Sequence, residues 1–204
     1  MGQDTEASDP VGRRQVLTRL LFVGLSPALA ASFPALGSSF PASAGAGPPP
    51  FQGERRPFTQ VAPPYPAPIT PMYTAKGGVT NLRKYRGKVV LLNFWATWCP
   101  SCLYELPALD RLQKELGGTD FEVLTLNVDE TEAIKAGRYF DRLNITHLPL
   151  LYDPAGRAPK AFKVYDGLPW NFIIDRQGSV QGYLMGSADW HSEDARRLLA
   201  YYLN

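Results

Sequence analysis

The run Val89-Val90-Leu91-Leu92-Asn93-Phe94-Trp95 is almost continuously apolar and rich in β-formers, which predicts a strand buried on both faces. From Ser101 the period changes to that of a helix. Leu103, Leu106, Leu109, Leu112 and Leu116 fall on one side, and Gly117-Gly118 ends the element. Residues 121–128 read as a second buried strand, and Asp129-Glu130-Thr131-Glu132 as a capping-box-like start for a helix to about Leu143. A short strand over 148–152, a turn at Asp153-Pro154-Ala155-Gly156 and a short helix over 157–164 follow. Residues 172–174 and 180–185, joined through Arg176-Gln177-Gly178, predict an antiparallel hairpin. Ser192-Glu193-Asp194 then caps a final helix whose apolar face is Ala195, Leu198, Leu199 and Tyr202. Upstream, Gly77-Gly78 marks a turn between short extended pieces at 72–76 and 79–82. Strands alternating with helices and closing in a hairpin indicate an α/β protein with helices on both faces of one sheet.

The first 71 residues follow a different pattern. Arg13-Arg14 precede a stretch from Leu20 to Gln52 without any charged side chain, and Ala42-Ser43-Ala44 is a small-x-small cleavage candidate, with Ala28-Leu29-Ala30 an earlier one. Residues 1–44 therefore read as an export signal, twin-arginine-like or Sec, with an uncleaved anchor in the inner membrane facing the periplasm as the alternative. Pro27, Pro34 and several serines break the long apolar run an anchor needs. Residues 45–71 hold nine prolines (48, 49, 50, 57, 63, 64, 66, 68 and 71) and are expected to form an extended linker that buries no core. That leaves residues 72–204 as the folded domain.

Composition narrows the function more by exclusion than by signal. A 204-residue chain with 45% hydrophobic and 20% charged residues is an ordinary globular one, and a net charge of +2 without a basic stripe offers nothing to nucleic acid. Two cysteines cannot build a multi-bridge framework. His147 and His191 lie at no ligand spacing from the cysteines or from each other, so neither a metal nor another bound cofactor is expected.

The chemistry lies in Cys99-Pro100-Ser101-Cys102, between the apolar strand and the leucine-striped helix. A thiolate, not a thiol, attacks a disulfide, and a helix N-terminus favours the anion through its free N–H groups and its dipole. Cys99 at the helix start is the expected nucleophile, Pro100 fits the first turn, and Cys102 is the resolving thiol. No third cysteine is available as an internal target, so the pair acts on other molecules.

Residues 93–102, Asn93-Phe94-Trp95-Ala96-Thr97-Trp98-Cys99-Pro100-Ser101-Cys102, resemble the active-site segment of thioredoxin-fold proteins. More narrowly they are similar to the exported TlpA-like and ResA-like thiol-disulfide oxidoreductases. The resemblance covers roughly residues 76 to 204 and extends to residues 82–88, to Gly167-Leu168-Pro169 and to Gly186-Ser187-Ala188-Asp189-Trp190, the last leaning towards the TlpA branch. It implies a central mixed sheet with an extra N-terminal extended hairpin and an inserted strand/helix segment. It also implies that Pro169 is a cis-proline beside the cysteines, and that Glu105 serves as acid/base for the Cys102 proton. Glu105 lies one turn below Cys102 on the same helix face, where partial burial raises a carboxyl pKa. Asn93 stands where plain thioredoxins carry a buried Asp. Substrate contact is expected at Trp98, Pro100, Leu168, Pro169 and Trp170, with Trp98 covering the disulfide. Trp170 and Asn171 depart from the small hydroxylated residues usual after the cis-proline, and a ring at 170 would narrow the groove. His147 reads as a structural residue.

The resemblance implies a periplasmic monomer that reduces disulfides in partner proteins of cytochrome c or copper-oxidase assembly and is recharged by a membrane thiol reductant, with a membrane tether as an option. A disulfide-donating oxidant and a copper-binding assembly protein are the competing readings.

Overall fold

The computed structural model describes residues 47–130 and 133–204. The expected export segment, residues 1–44, lies outside them. Among the described residues no helix is long and apolar enough to cross a membrane.

Eight strands form one mixed sheet. They are β1 (Thr59–Pro66), β2 (Met72–Thr74), β3 (Val79–Thr80), β4 (Val89–Trp95), β5 (Phe121–Asn127), β6 (Leu150–Tyr152), β7 (Trp170–Ile174) and β8 (Ser179–Met185), in the spatial order β1-β8-β7-β4-β5-β6-β2-β3. The helices are α1 (Pro100–Leu116), α2 (Ala133–Arg142), α3 (Arg157–Ala161) and α4 (Glu193–Leu203), with a 3-10 turn at Leu82–Tyr85. β4 runs parallel to β5 and antiparallel to β7, and all seven of its residues are buried. That is why its sequence lacks the alternation of a half-exposed strand.

The residues of β4 still sort by parity. Val89, Leu91 and Trp95 pack with Leu106, Leu109 and Leu112 of α1, Ala136 and Phe140 of α2, and Ala195, Leu198 and Leu199 of α4. Val90, Leu92 and Phe94 pack on the opposite face with Ala158 and Phe162 of the α3 region. Each fully buried leucine contributes about 1.5–3 kcal/mol of apolar transfer energy, so the stripe on α1 anchors that helix firmly. The helix continues through Pro107 without interruption.

The thioredoxin-like core is β4-α1-β5-α3-β7-β8-α4, with β2–β3 as the N-terminal hairpin and α2–β6 as the inserted segment. Among the described residues α2 begins at Ala133, and the carboxylate of Asp129 accepts the Thr97 amide of the redox loop.

The proline-rich segment departs most from expectation. It is not simply a tether: β1 pairs antiparallel with β8 at the sheet edge, with a register shift between Gln60 and Tyr65 that spans the consecutive prolines 63 and 64. An edge strand tolerates residues that cannot donate to a ladder, because one side of it faces solvent. Ahead of β1, Phe51 is only 3% exposed and lies in the core on the α1–α4 side. Phe58 rests over Gly182, where a Cβ would run into its ring. The folded domain thus begins some 20 residues before the boundary expected at 72.

Candidate active site

β4 delivers the chain to Ala96-Thr97-Trp98, and Cys99 is the N-cap of α1. Cys99 and Cys102 form a disulfide with Cα atoms 5.3 Å apart, and Cys99 Sγ accepts the Cys102 amide at 3.2 Å. That amide is one of the free donors of the first helical turn, placed where it would stabilise a Cys99 thiolate once the bond is reduced. Cys99 is 4% exposed and Cys102 is more deeply buried. Of the two, Cys99 keeps the larger exposed surface.

The loop ahead of the cysteines is pinned from β5. Both carboxylate oxygens of Asp129 accept the Thr97 amide, at 3.2 and 3.1 Å, and Asn127 Nδ2 donates to Asp129 Oδ2 at 3.0 Å. The sequence pattern suggested a helix cap at Asp129 and gave no sign of this role, which depends on β4 and β5 ending side by side.

Glu105, one turn beyond Cys102, is 1% exposed. Its Oε1 accepts the Trp190 indole N–H at 2.7 Å, the Ala188 amide at 3.0 Å and Asn171 Nδ2 at 3.0 Å, while Oε2 accepts Asn93 Nδ2 at 3.0 Å. Asn93 Nδ2 also donates to Asn171 Oδ1 at 2.9 Å, which fixes the orientation of both amides. Burial pushes the Glu105 pKa up to about 8, against the pull of these four donors. A carboxyl in this state can take or give a proton near neutral pH.

Asn171 was noticed in the sequence only as a departure from its relatives' pattern. Alternation along β7 puts it on the α1 side of the sheet, fully buried against Glu105. The same alternation sends Trp170 the other way, which corrects the expected groove wall. Its ring packs with Phe94 and Phe172 on the face away from the cysteines, stacks on Phe172 and Tyr183 at 5.8 and 5.4 Å, and donates to the Tyr165 carbonyl. Trp98, next to Cys99 in the chain, is 67% exposed. Pro100 is exposed at the first turn of α1, and Leu168 is half-buried. The Leu168–Pro169 bond is cis, as the resemblance implied, and Pro169 is buried just before the start of β7. Trp170 registers with Phe94, so Pro169 lies at the sheet end from which the Cys loop departs.

His147 is structural. Its ring Nδ1 lies 3.0 Å from Asp110 Oδ2, and Asp110 Oδ1 accepts the amides of Thr146, His147 and Leu148. Burial alone would raise Asp110, but these hydrogen bonds outweigh it and hold the carboxyl below its ordinary value.

A cysteine pair at a helix N-terminus, a cis-proline at the same sheet end and a buried carboxyl below define a thiol-disulfide oxidoreductase of the thioredoxin superfamily, TlpA/ResA-like in kind. Residues 59–183 match the AhpC/TSA family, and the chain belongs to it. The chain is 34% identical over 124 residues to the thiol-disulfide oxidoreductase ResA of Geobacillus kaustophilus, covering 61% of this chain and 68% of that one. It is 34% identical over 126 residues to the thioredoxin-like protein YneN of Bacillus subtilis, covering 59% and 70%. Among solved structures it is similar to a thiol:disulfide interchange protein of the thioredoxin family from Chlorobium tepidum, with a TM-score of 0.60 at 27% identity, covering 71% and 99%. The exposed lipoprotein thioredoxin Etrx1 of Streptococcus pneumoniae gives 0.54 at 28%, covering 66% and 98%.

Proposed function

We infer that the protein is exported to the periplasm and reduces disulfides in partner proteins there. The observation that carries this reading is the Cys99–Cys102 pair at the first turn of α1 with the up-shifted Glu105 one turn below. In the dithiol form the Cys99 thiolate attacks one sulfur of the partner disulfide, and the other partner sulfur leaves as a thiolate and is protonated. Cys102 gives its proton to Glu105 and attacks Cys99 Sγ. The second partner thiolate leaves, and the Cys99–Cys102 bond closes. Two electrons have passed to the partner, and a membrane thiol reductant returns them to the pair. Apocytochromes c and copper-handling proteins of oxidase assembly are the partners that the resemblance to exported oxidoreductases suggests. Relatives named thiol-disulfide oxidoreductase and an exposed lipoprotein thioredoxin support activity and export respectively.

The test is a trap. A Cys102→Ser chain expressed in an exporting bacterium should hold partners on Cys99 as mixed disulfides that reducing agent releases. An empty trap on exported, folded protein would overturn the reading.

A further inference from the structure

Two of the four donors on Glu105, the Ala188 amide and the Trp190 indole, come from the loop between β8 and α4. That loop is covered by residues 51–58, ahead of β1. The Phe51 ring packs on Trp190 with centroids 5.0 Å apart. The Glu54 amide donates to the Ser187 carbonyl at 2.9 Å, and the Ser187 hydroxyl donates to Glu54 Oε2 at 2.6 Å. Arg55 lies over Gly186, a residue at φ +94°. The segment is closed on itself by Phe58 N–H to the Phe51 carbonyl at 2.8 Å and Gly53 N–H to the Arg56 carbonyl at 3.0 Å. Its far end is seated by Phe58 over Gly182 and against Tyr202. Gly53 itself has no room for a side chain, since a Cβ there would meet Leu184 at 2.9 Å.

We propose that residues 51–58 are a strap that positions the redox site, with Phe51 and Glu54 clamping the 186–190 loop so that Ala188 and Trp190 stay on Glu105. The proposal rests on the reading of Glu105 as the proton carrier for Cys102. Neither Phe51 nor Glu54 touches the cysteines in any hydrogen bond or ring contact, so both are positioning residues. The groups facing Glu105 leave the strap a clear signature. In the disulfide form, the form to be titrated, Cys99 and Cys102 on α1 do not ionise, and Asn93 from β4, Asn171 from β7, and Ala188 and Trp190 from the loop are all uncharged. Asp189 in that loop is exposed and accepts the His191 amide, and the charges of the strap itself are Glu54, Arg55 and Arg56. Loosening the clamp removes donors that favour the carboxylate, so the proton on Glu105 should be held more tightly. Deleting the Glu54 charge, acting through the field alone, would have the opposite sign.

The experiment is a carboxyl NMR titration of the full-length chain carrying labelled glutamate, with the Glu105 signal identified by its loss in Glu105→Gln. Phe51→Ala should raise the Glu105 midpoint by about one pH unit, tenfold in proton affinity, and Phe51→Leu should return most of it. An unchanged midpoint in a folded Phe51→Ala chain overturns the proposal. Should Phe51→Ala fail to fold, Glu54→Ala decides: a smaller upward shift supports the strap, and no shift or a downward one overturns it. The underlying reading fails separately, if Glu105→Gln exchanges disulfides as fast as the unaltered chain, and the titration still decides whether the strap positions Glu105.

Discussion

Helix α1 carries two buried carboxyls five residues apart, and their environments push them in opposite directions. Asp110 collects three backbone amides and an imidazole at the start of the β6 segment, and its pKa falls. Glu105 collects four donors as well, but it is sealed between α1, β4, β7 and the loop before α4, and its pKa rises to about 8. Donor number does not decide the outcome. The difference is access to water: no solvent remains around Glu105 to share its charge, whereas the imidazole on Asp110 is 39% exposed. One carboxyl is held towards its charged form and builds architecture; the other, one turn from Cys102, keeps its proton up to about pH 8.

Removing each carboxyl should separate the two roles most sharply in the rate. Glu105→Gln should slow reduction of a disulfide substrate by about a hundredfold at pH 8, the usual scale for loss of a general acid or base. Asp110→Asn should stay within about twofold. Equal losses in a turnover assay would show that both residues are structural.

Stability against pH separates them next. A carboxyl with an ordinary value of 4.5 and a folded value of about 8 binds its proton more tightly in the native state, so its penalty is absent at low pH and grows as pH rises between those values. The unaltered chain should lose a few kcal/mol of stability from pH 5 to pH 9 through this group, and Glu105→Gln should flatten the slope. Asp110 has the opposite sign. Its lowered pKa contributes stability above its unfolded value of 3.8, and that contribution is lost as pH falls through the folded value. Thermal melts across pH on both variants check this, and an undiminished slope in Glu105→Gln would assign the loss elsewhere.

Asn171→Ala gives the smallest change. It removes one donor from Glu105 and leaves three, so exchange at pH 7 should slow about threefold to tenfold, the scale of about 1 kcal/mol net for one hydrogen bond. A rate as low as that of Glu105→Gln would mean that the amide does more than hold the carboxyl.

Periodicity made most of this fold legible. β4 and β5 were visible as apolar runs, α1 as a leucine stripe, and α4 through its cap at Ser192. What periodicity could not show was contact between distant segments. Composition marked residues 45–71 as linker, yet Phe51 finds Trp190 far along the chain, and the prolines of β1 are tolerated because it is an edge strand. Trp170 looked like a groove wall because it follows Pro169; the period of two along β7 turns it to the other face and brings Asn171 to Glu105 instead. Asp129 read as a helix cap because a Ser/Thr/Asp before a helical pattern usually is one, and only the parallel register of β4 and β5 brings it to the Thr97 amide.

The account stands on the passage of the Cys102 proton to Glu105, and single-turnover resolution of a Cys99 mixed disulfide measures it most directly. Across pH 5 to 10 the unaltered chain should resolve the adduct at a rate that rises to a plateau with a midpoint near 8. In Glu105→Gln the rate should be lower throughout, with that midpoint gone. The same midpoint and the same plateau in both chains would contradict it.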